Sequence, residues 1–100
     1  MNYWLLQANP RKYRIFDYWR DYPDTPDTWS VNRYTSEIKP DDITFVWVAN
    51  NPKAHIERGI YAKAKVTVPP TNREPYPRER NYWTDKDEQE RQSKLPRLEL

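Results

Sequence analysis

Residues 43–49, ITFVWVA, decide the fold. Side chains alternate across a strand, so Phe45, Trp47 and Ala49 share one face while Thr44, Val46 and Val48 share the other. Both faces are mostly apolar, which predicts a central strand covered on each side. The tight turn Lys39-Pro40-Asp41-Asp42 leads into it and the loop NNPKAHIER, residues 50–58, leads out. Gly59, the single glycine, opens a second strand, IYAKAKVTV at 60–68. There Ile60, Ala62, Ala64, Val66 and Val68 alternate inward, and Tyr61, Lys63, Lys65 and Thr67 outward. Pro69-Pro70 ends it.

Outward from this pair, Asn2 to Gln7 reads as a buried strand stopped by Asn9-Pro10. Tyr13 to Arg20 reads as a short helix, with Ile15, Phe16, Tyr18 and Trp19 forming an apolar face. DYPDTPDT, residues 21–28, is a loop, Trp29-Ser30-Val31 re-enters an ordered element, and Asn32 to Ile38 holds a turn of helix. Residues 69–94 are polar, Pro-containing and dense in both charges, and read as a charged surface loop. The aromatic island Asn81-Tyr82-Trp83 packs part of that loop back on the body. Leu95, Leu98 and Leu100 mark the start of a further strand over 95–100. The expectation is a single domain over 1–100, with core elements in 1–68. Its class is α+β, a mainly antiparallel β pseudo-barrel with short peripheral helices, and a chain that stops inside a strand reads as lacking the C-terminal part of the fold.

Composition narrows the chemistry. With 36% hydrophobic and 32% charged residues over 100 positions, apolar groups must be concentrated in a few elements, and five Trp and eight Tyr supply much of them. Without cysteine there is neither a disulfide framework nor a thiolate zinc site, and a cytoplasmic setting is the default. The N-terminus has no basic region before its short apolar run Tyr3 to Leu6, which predicts a soluble chain with no membrane partner. A net charge of +2 does not support wholesale phosphate binding, so a nucleic-acid partner would be held by local contacts. One glycine excludes Gly-rich phosphate loops. His55 stands alone in a polar loop, and Asp41-Asp42 and Asp85-Asp87-Glu88 lack calcium-loop spacing. Asp24, Asp27 and Glu37 are the carboxylates nearest the aromatic segment in sequence. No catalytic residue, metal or cofactor is expected.

The aromatic surplus remains. Trp29, Tyr34 and Trp47 lie on three successive elements, and a compact barrel would bring their rings together as a cage. A cage of this kind grips a flipped base by stacking, while amides such as Asn32 or Asn9 read its hydrogen-bonding edge. The alternative for Trp47, on a central strand, is core packing.

Taken in order, YWLLQANP (3–10), WSVNRY (29–34), EIKPDDITFVWV (37–48) and RGIYAKAKV (58–66) resemble the EVE domain of the PUA-like superfamily, related to YTH and ASCH domains. RNYWTDKDEQERQSKLPRLEL (80–100) continues the likeness weakly. Asp41 stands where the family's turn usually has glycine, and Lys63 where a second small residue is common. The resemblance implies a pseudo-barrel whose pocket reads a modified base in DNA or RNA, of the methylated or hydroxymethylated cytosine or N6-methyladenine type, sometimes beside modification-dependent restriction systems. It places Trp29 and Trp47 at cage positions and Asn9, Val31, Asn32 and Tyr34 along the pocket border, with Arg33 and Arg11 near flanking phosphates. It also implies further helix and strand beyond this chain, absent or supplied by exchange within a homodimer. Two other readings compete: a protein-interaction fragment completed by another chain or effector, and a small PUA-like hydrolase built on converging Lys, Glu and Thr residues.

Overall fold

The computed structural model describes residues 1–23 and 25–100. Among them the order is β1 (Tyr3–Ala8), α1 (Ile15–Asp21), β2 (Thr28–Ser30), β3 (Ile43–Val48), a 3-10 turn (Pro52–Ala54), β4 (Gly59–Lys65), β5 (Val68–Thr71), α2 (Pro77–Arg80), α3 (Lys86–Ser93) and β6 (Arg97–Glu99). The class is mixed α+β, mostly sheet. Two three-stranded sheets, β1-β3-β4 and β2-β6-β5, are not closed into a barrel. β1 runs parallel to β3, and the other pairings are antiparallel.

β3 is central, as its two-faced pattern predicts, but its faces differ. Leu6 and Ala8 of β1 and Val46 and Val48 of β3 are buried on the inner face, joined by Ile15, Ile38, Val66 and Leu98. On the outer face Phe45 and Trp47 are only half-buried, while Tyr3 and Leu5 are exposed. The Tyr3 ring stacks on Phe45 at 6.3 Å, so the rings cover one another. The expected inward alternation of β4 breaks at a bulge: Val46 pairs with Ala62 but Trp47 pairs with Ile60, leaving Tyr61 as the extra residue. One added residue turns the side chains beyond it to the other face. Ile60 is therefore 59% exposed, and Tyr61 meets Phe16 of α1 edge-on at 4.8 Å.

The chain crosses between sheets at Val66-Thr67. Val66 exchanges backbone hydrogen bonds of 2.8 Å with Asp41 and Asp42, and the next amide, Thr67 N–H, donates to Glu99 of β6. The turn before β3 is held by Asp42, which accepts from Trp4 Nε1 at 2.8 Å and from the amides of Asn2 and Lys39. These donors, the indole foremost, lower its carboxyl to about 2. Asp41 adopts φ 72°, the left-handed conformation that glycine takes freely and Asp tolerates better than most residues. That accounts for Asp41 where the resembling family has glycine.

Two expectations need correction. Pro69-Pro70 do not end the ordered chain but lie within β5, which pairs only with β6; an edge strand tolerates missing N–H groups. Residues 69–94 are not simply a loop, because they also hold α2 and α3. No residue of α3 is buried, so it has no apolar stripe to reveal it. The available signal is the Asp85-x-x-Glu88 cap, in which Glu88 N–H donates to Asp85 Oδ1 at 3.1 Å. Asn32 to Ile38 holds one helical turn, as expected, with Ile38 N–H bonded to the Tyr34 carbonyl at 3.1 Å. The aromatic island does pack inward. Tyr82 is 8% exposed with its ring 5.3 Å from Tyr18, and Trp83 meets Tyr13 at 4.8 Å. β6 lies in the middle of its sheet, with Leu98 fully buried. Among the described residues no helix is long and apolar enough to cross a membrane.

Candidate functional site

A cavity of about 770 Å³ lies among β1, β2, the segment after β2 and α3. Trp29 forms part of its wall, and Val31, Asn32, Arg33 and Tyr34 continue along it, so five sequence-selected residues reach it from one continuous segment. Asn9 reaches it from the end of β1. Its side-chain oxygen already accepts from Arg11 N–H at 3.0 Å, and its carbonyl accepts from Lys12 and Tyr13, which turns the chain out of β1.

Trp47 and Arg11 are not among the lining residues. Trp47 alternates with Val46 and Val48, whose side chains are in the core, so its ring points to the other side of the first sheet. The three-ring cage of Trp29, Tyr34 and Trp47 is therefore not assembled. Trp4 takes the third place: it lies on the inner face of β1 and lines the cavity with its ring 5.4 Å from Tyr34. Sequence reading missed Trp4, which it left within the buried strand over Asn2 to Gln7, although its parity with Leu6 and Ala8 marks it as inward. Arg11 is exposed, and its carbonyl accepts from Thr84 Oγ1 at 2.6 Å.

Tyr34 has φ 58°, a conformation unfavourable for an aromatic residue, and keeps 59% of its surface exposed at the cavity. The Glu37 and Ile38 amides, bonded to its carbonyl, help fix the turn. Four basic residues also line the cavity, and one of them, Arg97, is buried in the polar cluster described next. Lys12 lies 3.6 Å from Glu88 and Arg91 is hydrogen-bonded to the same carboxylate, whereas Arg33 has no ion pair among the described residues.

A polar cluster borders the cavity from below. Thr28, Glu79 and Arg97 are 4%, 5% and 6% exposed. Thr28 Oγ1 donates to Glu79 Oε2 at 2.8 Å and accepts from Arg97 Nε at 3.0 Å, bridging two charges that are 3.9 Å apart. Glu79 also accepts from the Thr28 and Tyr76 amides. Burial pushes the Glu79 carboxyl up and the Arg97 guanidinium down, and the bridging bonds oppose the rise at Glu79. The Thr28 hydroxyl thus has both its proton and its acceptor site engaged, which suits a brace better than a nucleophile. Asp27 also lines the cavity. Its Oδ1 is shut from solvent with no hydrogen-bond partner, and burial holds its carboxyl above the usual range. Of the other two acids considered, Glu37 is exposed and accepts from Ser36, and Asp24 lies outside the described residues. Among the described residues no group of three or more His, Cys, Asp or Glu side chains could hold a metal ion.

The family model described as EVE domain matches residues 2–98. No curated protein and no solved structure gives a match.

Proposed function

The chain belongs to the EVE domain family, and from that premise we propose that it is a non-catalytic, PUA-like nucleic-acid-binding module that holds a flipped, modified base of DNA or RNA in its cavity. The observation that carries this reading is the convergence on one cavity of Trp29, Tyr34 and Trp4 with Asn32 and with Arg33, a cation that has no ion pair among the described residues. Aromatic faces offer a base about 1–3 kcal/mol each in stacking, amides can read its edge, and a free guanidinium suits a neighbouring phosphate. Methylated or hydroxymethylated cytosine and N6-methyladenine are the proposed ligand types, and Trp47 and Arg11 have no direct part in holding them. No chemical step is assigned to the site.

Fluorescence anisotropy with labelled oligonucleotides carrying one modified or unmodified cytosine or adenine tests this. Binding should favour a modified base and disappear in Trp29→Ala, with Trp47→Ala binding as the parent does. Flat titrations with every oligonucleotide would sink the reading.

A second reading is favoured by one observation, the outer face of the first sheet, where Tyr3, Leu5 and Ile60 are each more than half exposed around half-buried Phe45 and Trp47. Contiguous exposed apolar groups mark interaction surfaces. A second copy or an effector chain seated there would leave the cavity on the opposite face free. Light scattering that gives a monomer mass at high concentration would remove self-association from this reading.

A further inference from the structure

We infer that Asp27 is a specificity-determining residue of the cavity: its carboxylate accepts a hydrogen bond from an exocyclic amino group, so the site takes an amino-bearing base and rejects its keto counterpart. This rests on the proposal that the cavity holds a base.

Three carboxylates line the cavity: Asp27, Glu79 and Glu88. Two are engaged within the fold. Glu79 is held by Thr28, the Tyr76 amide and Arg97, and Glu88 by Arg91, by Gln92 Nε2 at 2.8 Å and by Lys12. Asp27 has no ion pair among the described residues; the Tyr18 hydroxyl bonds to its carboxylate, but Oδ1 lacks any hydrogen-bond partner. Arg78, whose charge opposes the rise at Asp27, donates to the Tyr18 hydroxyl at 3.2 Å and to the Pro26 carbonyl.

The backbone at Asp27 is pinned, since its carbonyl accepts from Leu100 N–H at 2.8 Å and Thr28 opens β2. Trp29 follows two residues later, the spacing that places side chains on one side of an extended segment. Both residues line the same cavity. The terminal torsion of Asp is soft and roughly two-fold, so a turn about it exchanges the oxygens and presents the unpaired one to a ligand.

A buried acceptor without a donor is unfavourable, and native structures seldom keep one without a use. An ionised carboxylate only accepts. Opposite an amino group it gains a charge-assisted hydrogen bond, whereas opposite a keto oxygen two acceptors face each other. A site built for a donor discriminates strongly against the analogue that lacks it.

The matched probes are 5-methylcytosine and thymine in the same oligonucleotide, because the two bases share shape and methyl group and differ at the amino or keto position and the adjoining ring nitrogen. Anisotropy titrations should show at least about a tenfold preference for 5-methylcytosine in the parent chain. Asp27→Asn, whose amide can meet either base, should bring the ratio close to one with circular dichroism unchanged. Should that variant not fold, the ligand-side comparison on the parent chain decides alone. Equal binding of the two bases by the parent overturns the inference, as does an unchanged ratio in a folded Asp27→Asn. If Trp29→Ala still abolishes binding in those cases, the base-pocket reading survives. Absence of binding to either probe overturns the inference, and the base-pocket reading falls with it when the adenine oligonucleotides are flat as well.

Discussion

The buried bridge at Thr28 gives the sharpest test of how this small domain is held together. Thr28→Val keeps the β-branch and nearly the volume, so strand preference and packing are preserved while the hydroxyl is lost. The change strands Arg97 Nε, whose acceptor at 3.0 Å disappears in a residue only 6% exposed, and removes the 2.8 Å bond to Glu79. Glu79 keeps its two backbone donors at 3.2 Å. A buried charged donor left unpaired costs about 2–3 kcal/mol, and the lost Glu79 bond about 1 kcal/mol. Exchanging a hydroxyl for a methyl returns a little less than 1 kcal/mol of apolar burial. The net loss should be about 3 kcal/mol, a large share of the roughly 5–15 kcal/mol that a domain of this size has. In melting temperature it should be roughly 10–20 °C. Thr28→Ser is the control: it keeps the bridge, drops one methyl and should cost about 1 kcal/mol. Urea unfolding followed by tryptophan fluorescence, with slopes that stay constant across variants, measures both. A Val variant no less stable than the Ser variant would refute the bridge as a brace.

The remaining predictions address the turn, the bulge and the two faces of the sheet. Asp42 is lowered to about 2, so its contribution is present above the ordinary carboxylate range and lost as pH falls toward 2. Acid titration of the unfolding midpoint should show this fall in the parent, with Asp42→Asn starting lower and falling less. Gly59→Ala should be neutral or stabilising by about 0.5 kcal/mol in urea unfolding. A Cβ there would meet only the Tyr61 ring at 3.7 Å, and glycine in a strand forfeits backbone entropy. Ile60→Thr, on the outer face beyond the bulge, should change stability by less than about 0.5 kcal/mol, whereas Val46→Ala on the inner face should cost about 2 kcal/mol.

The residues that sequence alone could assign are those whose role follows from local chemistry. The two-faced pattern of ITFVWVA required a central strand, Pro40 and Asp41 required a turn before it, and the four ordered motifs marked the family. One continuous segment, Trp29 to Tyr34, reaches the cavity as the residue types suggested. α3 escaped because an exposed helix carries no apolar period, and its cap was the only local sign. Tertiary structure alone decided which rings face the cavity. Alternation says that Trp47 and Val46 point opposite ways but not which way is inward, and that is settled by the elements packed against the sheet. Likewise no local rule brings Glu79 and Arg97 to Thr28 across 51 and 69 residues or leaves Asp27 Oδ1 without a donor. Those facts arise when segments far apart in sequence compete for the same buried space, where each polar group is matched or left alone by its neighbours in the fold.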